Sequence, residues 1–419
     1  MVFKTTAIDH SAIPPRVFNC TGPRAPESGC VNPQPLAIPL RRMEEGHTIH
    51  ALLDGRLAHV RRSLASMEGA VMKALPSLGL AAVVALVLGF AEPRGADCNS
   101  AGNIRFICGQ VGPEDLAVVP GGEWVLSSGN VANGGIRLIK VRDKTTTVLF
   151  PTTPSKERFD RKTYGTCPGP IDPAEKENFR AHGLYLRPGK NAVHTLYVVH
   201  HGSRESIEVF EFDAHAQPPS LTWVGCAVAP DPIGLNSVVG LPDGGFITTN
   251  FQARGADPGG FKRIMAGEIN GELWEWHPSS AWQKVPGTEA AGPNGLEISK
   301  DGKTLYVASW GSQSLIRVSR GQTPVKKDAV PLGFRVDNLR AAPDGSILAT
   351  GQGGTAPAQT SHVARVDPNT LKVKELIRYP YSDLFRGSTS AIQIGKEIWV
   401  SSHGERIAVF PLAGYQPSH

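Results

Sequence analysis

Leu235-Asn236-Ser237-Val238-Val239-Gly240-Leu241-Pro242-Asp243-Gly244-Gly245-Phe246-Ile247-Thr248-Thr249-Asn250 reads as a single β-hairpin. Apolar and β-branched residues stand on both sides of Pro-Asp-Gly-Gly. Asp-Gly between two such runs is the strongest short-range hairpin signal, because these residues tolerate the backbone a tight turn requires. The layout recurs along the chain. Pro120-Gly121-Gly122 precedes Trp124–Gly129, Lys300-Asp301-Gly302-Lys303 precedes Thr304–Ser309, and Pro343-Asp344-Gly345-Ser346 is a further copy. Leu184–Gly189 with Thr195–Val199, and Ile392–Gly395 with Glu397–Val400, bring the units to six. They recur at roughly 40 to 65 residues, the spacing of propeller blades. In these turns Asp243, Asp301 and Asp344 read as turn residues only.

A propeller turns the innermost strand of every blade toward one channel, so residues remote in sequence can meet there. Short polar motifs stand beside the strands: Gly112-Pro113-Glu114-Asp115, Leu235-Asn236-Ser237, Pro293-Asn294-Gly295 and Val336-Asp337-Asn338. A hard divalent cation such as calcium takes a mixed shell of carboxylate, amide and water oxygens. Glu114 and Asp337 would neutralise its charge. Asn236, Asn294 and Asn338 would add coordination without further charge, leaving the ion able to polarise a carbonyl. An asparagine at a strand start is usually a turn residue; it is the occurrence of three in register with two acids that points to one site. The expected fold class is all-β, a six-bladed β-propeller with a central metal site, over residues 98–412.

Ahead of the propeller, Leu75–Ala91 is an apolar run preceded by Met72-Lys73 and followed by Glu92-Pro93-Arg94. It is shorter than the about 20 residues that span a bilayer comfortably, and Gly89-Phe90-Ala91 offers the small residues of a cleavage site. Residues 72–91 therefore read as a signal peptide and the protein as exported, with a membrane anchor through 75–91 as the alternative. Residues 1–71 are rich in Pro and Arg without sustained apolar periodicity, and read as a disordered leader or as sequence upstream of the true start. In an exported chain Cys98, Cys108, Cys167 and Cys226 would form disulfides in one of three connectivities, of which Cys98–Cys108 with Cys167–Cys226 is favoured. Cys167 lies in a Pro- and Gly-rich loop that a crosslink would tie down, whereas Cys20 and Cys30 fall in the leader. A net charge of +5 with no basic stripe and no phosphate-binding glycine loop argues against nucleic acid as a partner.

In motif and order the chain resembles the paraoxonase/arylesterase family of six-bladed propellers, and more distantly the gluconolactonase and strictosidine-synthase-like propellers. Gly112-Pro113-Glu114-Asp115-Leu116 is similar to the family's first metal segment, the motifs at Asn236, Asn294 and Asp337-Asn338 to the next three, and Gly387-Ser388-Thr389 to a segment of the last blade. The resemblance covers about residues 105 to 410. It implies one catalytic calcium held by Glu114, Asn236, Asn294, Asp337 and Asn338. It also implies a histidine pair, since Ala181-His182-Gly183-Leu184 matches the segment of the family's proposed general base and Leu196–His201 the strand of its partner, here His201.

Three departures accompany the resemblance. Family members use an aspartate in a second, structural calcium site where this chain has Ser237; Asp115, the partner acid, is kept as a possible second metal ligand. Phe251 replaces an acidic residue that follows Thr-Asn in mammalian members. No cysteine stands near Arg406–Phe410, so the family's crosslink between first and last strands is missing and closure falls to strand pairing with Ile104–Ile107.

The implied activity is calcium-dependent hydrolysis of a small lactone or aryl ester, the metal polarising the carbonyl and the histidines assisting attack by water. The alternatives are a sugar-lactone hydrolase of the gluconolactonase type and a non-catalytic ligand-binding propeller. Side chains alternate along a strand, so only one of His200 and His201 should face the site. His194 and His403 read as rim or surface residues, Trp274 and Trp276 as blade packing, and Phe251–Ile269 as a loop forming an apolar lid.

Overall fold

The computed structural model describes Cys98, residues 100–152 and residues 154–412. Every described residue lies within the compact unit that spans residues 90–419. The expected leader, the apolar segment of 72–91, Cys20 and Cys30 lie outside the described residues.

Six sheets form the propeller. Their inner strands are Pro113–Val118, Arg180–Arg187, Leu235–Gly240, Pro293–Ile298, Arg335–Ala341 and Ser388–Ile394, defining blades one to six. Each inner strand lies beside the next, and the sixth returns to the first. Every turn read from the sequence joins an inner strand to the second strand of its own blade. Asp243, Asp301 and Asp344 behave there as expected, each Oδ1 accepting a backbone N–H two residues on.

Closure falls to the strand pairing anticipated above. Arg105–Ile107 pairs antiparallel with Ile407–Pro411, so the earliest strand completes the sheet of blade six. Alternation sends its two apolar side chains to different interfaces: Phe106 joins the cluster with Val363 and Phe385 of blades five and six, Ile107 the cluster with Leu116 and Trp399 between blades six and one. Both are buried. At about 1.5–3 kcal/mol for each such side chain, this short strand contributes several kcal/mol to holding the ring shut.

The disulfides follow the favoured connectivity, Cys98–Cys108 and Cys167–Cys226. The first flanks the closing strand. The second ties the loop ahead of blade two to that blade's fourth strand, Ser220–Val228, and in the same loop Tyr164 stacks on Trp276 at 5.7 Å. Trp276 stacks in turn on Phe246 at 5.1 Å, a packing role as expected. Two disulfides are compatible with an oxidising compartment. No helix among the described residues is long and apolar enough to cross a membrane.

Two local expectations need correction. The Phe251–Ile269 segment is not only loop, because Gly260–Met265 is helical. Its Ile264 is buried while Phe261 and Met265 remain exposed, and Phe251 and Phe261 pack against Trp310 of blade four at 6.2 and 5.2 Å. His194 is not a surface residue: it is buried in the hairpin of blade two, where its Nδ1 accepts the Gly189 N–H at 3.0 Å.

Candidate metal centre

Near the start of every inner strand two residues leave the β-ladder. The register slips across Glu114-Asp115, His182-Gly183, Asn236-Ser237, Asn294-Gly295, Asp337-Asn338 and Thr389-Ser390. A bulge bends its strand and re-aims the unpaired side chains. Repeated in six neighbouring strands, it gathers one polar set at one end of the channel. The strands approach closely there. A Cβ on Gly183 would lie 2.5 Å from the carbonyl oxygen of Asn236, and one on Gly295 2.4 Å from that of Asp337, so glycine is required at both.

All five residues expected to hold a metal are buried at these bulges. Asn338 Nδ2 lies 3.4 Å from Glu114 Oε1. Gln352 donates from Nε2 to Asp337 Oδ2 at 2.7 Å and to the Ser388 carbonyl at 2.5 Å, which fixes the Asp337 carboxyl. Thr389 and Ser401 donate to the Glu114 carbonyl oxygen at 2.7 and 3.0 Å. Burial pushes the Glu114 carboxyl up to about 7, with Asp115 adding to the rise and His403 and the Asn338 amide opposing it. Asp337 is raised well above the usual carboxylate range, first by burial and then by the charge of Glu114.

The donor chemistry fits a hard cation. Oδ1 of Asn236, Asn294 and Asn338 is buried and accepts no hydrogen bond, although a buried polar oxygen without a partner costs about 1–3 kcal/mol. Three such oxygens and two buried carboxyls, all at the inner-strand bulges, make up the kind of mixed oxygen set that calcium takes. Among the described residues no cluster of three or more His, Cys, Asp or Glu side chains is arranged to hold a metal.

Asp115 stands apart, and its expected part in a second metal site does not fit. Its Oδ1 accepts the Leu116 N–H at 2.9 Å, its Oδ2 the Leu184 N–H at 3.0 Å, and the buried Arg340 guanidinium pairs with Oδ2. Arg340 reaches from blade five across the channel. It donates to the Leu116 carbonyl at 2.9 Å and the Leu184 carbonyl at 2.7 Å, linking blades one and two. A cation built into the chain thus already occupies the Asp115 carboxylate. Sequence reasoning passed over Arg340, whose signal was a basic residue set between the apolar Leu339 and Ala341 of an inner strand.

The two histidines meet as expected. His182 Nδ1 and His201 Nε2 are 2.8 Å apart, and His182 Nε2 lies 3.7 Å from Glu114 Oε1. Burial, then the neighbouring His201, pushes His182 down to about 3, leaving a neutral imidazole. His200 points away and stacks on Phe179 at 4.5 Å. Glu205, not singled out in the sequence, contacts His201 Nδ1 through Oε2 at 2.8 Å. Its signal was faint, an acid in the four-residue turn after the histidine strand. His403 is on the rim as expected, 61% exposed at its side chain, yet its Nδ1 is 3.6 Å from Glu114 Oε2.

Two cavities flank this cluster. One of about 320 Å³ is lined by His182, His201, Glu205, Asn236, Phe251 and Arg254. The other, about 450 Å³, lies under His403 with Phe385, Arg386 and Arg406 in its walls. The smaller one gives a small molecule access to the histidine pair and to Asn236.

The profile of the SMP-30/Gluconolactonase/LRE-like region family matches residues 194–386. The match agrees with the propeller resemblance read from the motifs, on its gluconolactonase side. No curated protein matches the chain. Among solved structures it is similar to a gluconolactonase from Xanthomonas campestris, at 17% identity and a TM-score of 0.47, over 74% of this chain and 89% of that one. It is also similar to a luciferin-regenerating enzyme, at 13% identity and 0.47, over 75% and 97% of the two chains. A virginiamycin B lyase from Staphylococcus aureus follows at 12% and 0.43, over 73% and 98%. At such identities and scores nothing about activity follows from these structures.

Proposed function

We propose that this protein is an exported, calcium-dependent hydrolase of small lactones or aryl esters. The observation that carries the reading is the set of three buried, unpaired asparagine oxygens at the same series of inner-strand bulges as the buried carboxyls of Glu114 and Asp337. Glu114, Asn236, Asn294, Asp337 and Asn338 would hold the ion, and bound calcium would supply the Lewis acidity that polarises an ester carbonyl.

The chain's own residues supply the rest. His182, neutral and lining the smaller cavity, takes a proton from the attacking water at Nε2. His201 Nε2 shares a hydrogen bond with His182 Nδ1 and holds that ring in place. Gln352 keeps Asp337 turned toward the centre. Phe251, standing where mammalian paraoxonases carry an acid, gives the cavity an apolar wall suited to the body of an ester.

A second reading is a sugar-lactone hydrolase. The gluconolactonase-type match over residues 194–386 favours it, as does the charged lining of the larger cavity by Asp383, Arg386, Glu405 and Arg406. The deciding experiment is hydrolysis of aryl esters, alkyl lactones and sugar lactones by the protein, before and after chelation. Turnover abolished by chelator and restored by calcium supports a metal hydrolase, and the preferred substrate separates the two readings. Calcium binding without turnover on any substrate overturns both in favour of a ligand-binding propeller.

A further inference from the structure

Glu205, His201 and His182 form a line of hydrogen bonds that ends beside the candidate metal centre. Glu205 Oε2 faces His201 Nδ1 at 2.8 Å, His201 Nε2 faces His182 Nδ1 at 2.8 Å, and His182 Nε2 stands 3.7 Å from Glu114 Oε1. The other oxygen of Glu205 is held separately: Oε1 accepts the Leu235 N–H at 2.7 Å, one residue before Asn236. All three side chains are largely buried, 11–19% exposed.

A histidine pair alone has no direction. The proton shared between the rings can belong to either, and the outer nitrogen of His182 is a bare base in one arrangement and an N–H donor in the other. An ionised carboxylate removes the choice because it can only accept. His201 must then carry its proton on Nδ1, its Nε2 must accept, and His182 must donate from Nδ1. The remaining nitrogen, His182 Nε2, is left with a free lone pair toward the cavity and Glu114.

We propose that Glu205 is the positioning residue that sets the polarity of this relay, leaving His182 Nε2 as the proton acceptor for the attacking water. The inference rests on the hydrolase reading for its catalytic meaning, but the polarity itself is a property of the protein without substrate. Glu205 comes from the turn after the histidine strand. It thereby supplies an acid to the pair in a chain that has Phe251 in place of the acid of mammalian paraoxonases.

The test uses the full chain with ¹⁵N-labelled histidine. In the wild type the ring-nitrogen shifts of His182 and His201 should report protons on Nδ1 in both rings. Glu205→Gln preserves shape, and the Leu235 N–H holds the amide carbonyl, so the NH₂ group must face His201 Nδ1. That reverses every bond, and both rings should now carry their proton on Nε2. Hydrolysis should show kcat lower by on the order of 10²- to 10⁴-fold, the range for a lost general base, with KM and calcium affinity unchanged. Glu205→Ala should give mixed tautomers and a smaller loss.

A wild type with protons on Nε2, or a Glu205→Gln protein that keeps Nδ1–H rings, overturns the proposal whatever happens to activity. If the tautomers reverse as expected and no lactone or ester is turned over by the wild type, the relay stands and the hydrolase reading fails.

Discussion

Two layers of the channel, one to three residues apart along the same strands, treat their polar groups in opposite ways. In one layer Asn236, Asn294 and Asn338 carry buried oxygens with no partner, and the Glu114 and Asp337 carboxyls are raised, first of all by burial. Beneath them Asp115 and Arg340 satisfy each other, and both are also bonded to the backbone of neighbouring blades. Glu297 belongs to this lower layer, its Oε1 and Oε2 accepting the Ile298 and Ala341 N–H groups at 2.9 Å each. A set that is complete without a ligand is structure. A set left unsatisfied costs folding free energy and leaves its acceptors open to a ligand.

Replacement of one member from each layer should therefore act in opposite senses. Asn294→Leu should lower calcium affinity and hydrolysis by on the order of 10³-fold, since a ligand worth several kcal/mol is removed. The same change should leave the calcium-free protein at least as stable to urea, because an unpaired oxygen is replaced by an apolar group of similar size. A large loss of calcium-free stability would dissolve the contrast between the layers.

Arg340→Met should destabilise the protein by about 3–5 kcal/mol in urea unfolding, as expected when one partner of a buried ion pair is removed. Asp115→Asn added to it should recover part of the loss, a coupling that a double-mutant cycle measures. Calcium should bind to the wild type at one ion per chain. Two ions by equilibrium dialysis would mean that Arg340 does not exclude a second.

The smallest expected effect lies between the layers. Gln352→Ala frees Asp337 without removing a ligand, and calcium affinity should fall by about 10- to 100-fold, the usual consequence of losing an outer partner. No change in a calcium titration would show that the Asp337 carboxyl needs no support.

How much of this was legible in the sequence follows from the range of the interactions. The Asp-Gly turns and their blades could be read because a hairpin is decided within about ten residues. The placing of Glu114, Asn236, Asn294, Asp337 and Asn338 on the inner strands could be read because each motif stands a few residues ahead of its hairpin turn. Glu205 could not: its meaning depends on Leu235, thirty residues away, and an acid in a polar turn reads as solvated. Arg340 could not be assigned because its partners lie 156 to 225 residues earlier. The helix Gly260–Met265 is too short for a periodic signal and begins after Gly259 with no side-chain cap. His194 was misplaced because polarity alone does not reveal that a hairpin folds over an imidazole.

The closing strand Arg105–Ile107 carries a consequence for the order of events in the cell. Its partner, Ile407–Pro411, is synthesised about three hundred residues later, so the first strand made must wait for the last. Until then the surfaces destined to cover Phe106 and Ile107 stand open while five complete sheets have already left the ribosome. Any process that holds back the last sheet leaves an open ring whose sticky seam can accept a strand from another copy as readily as its own, the route by which repeat proteins exchange parts.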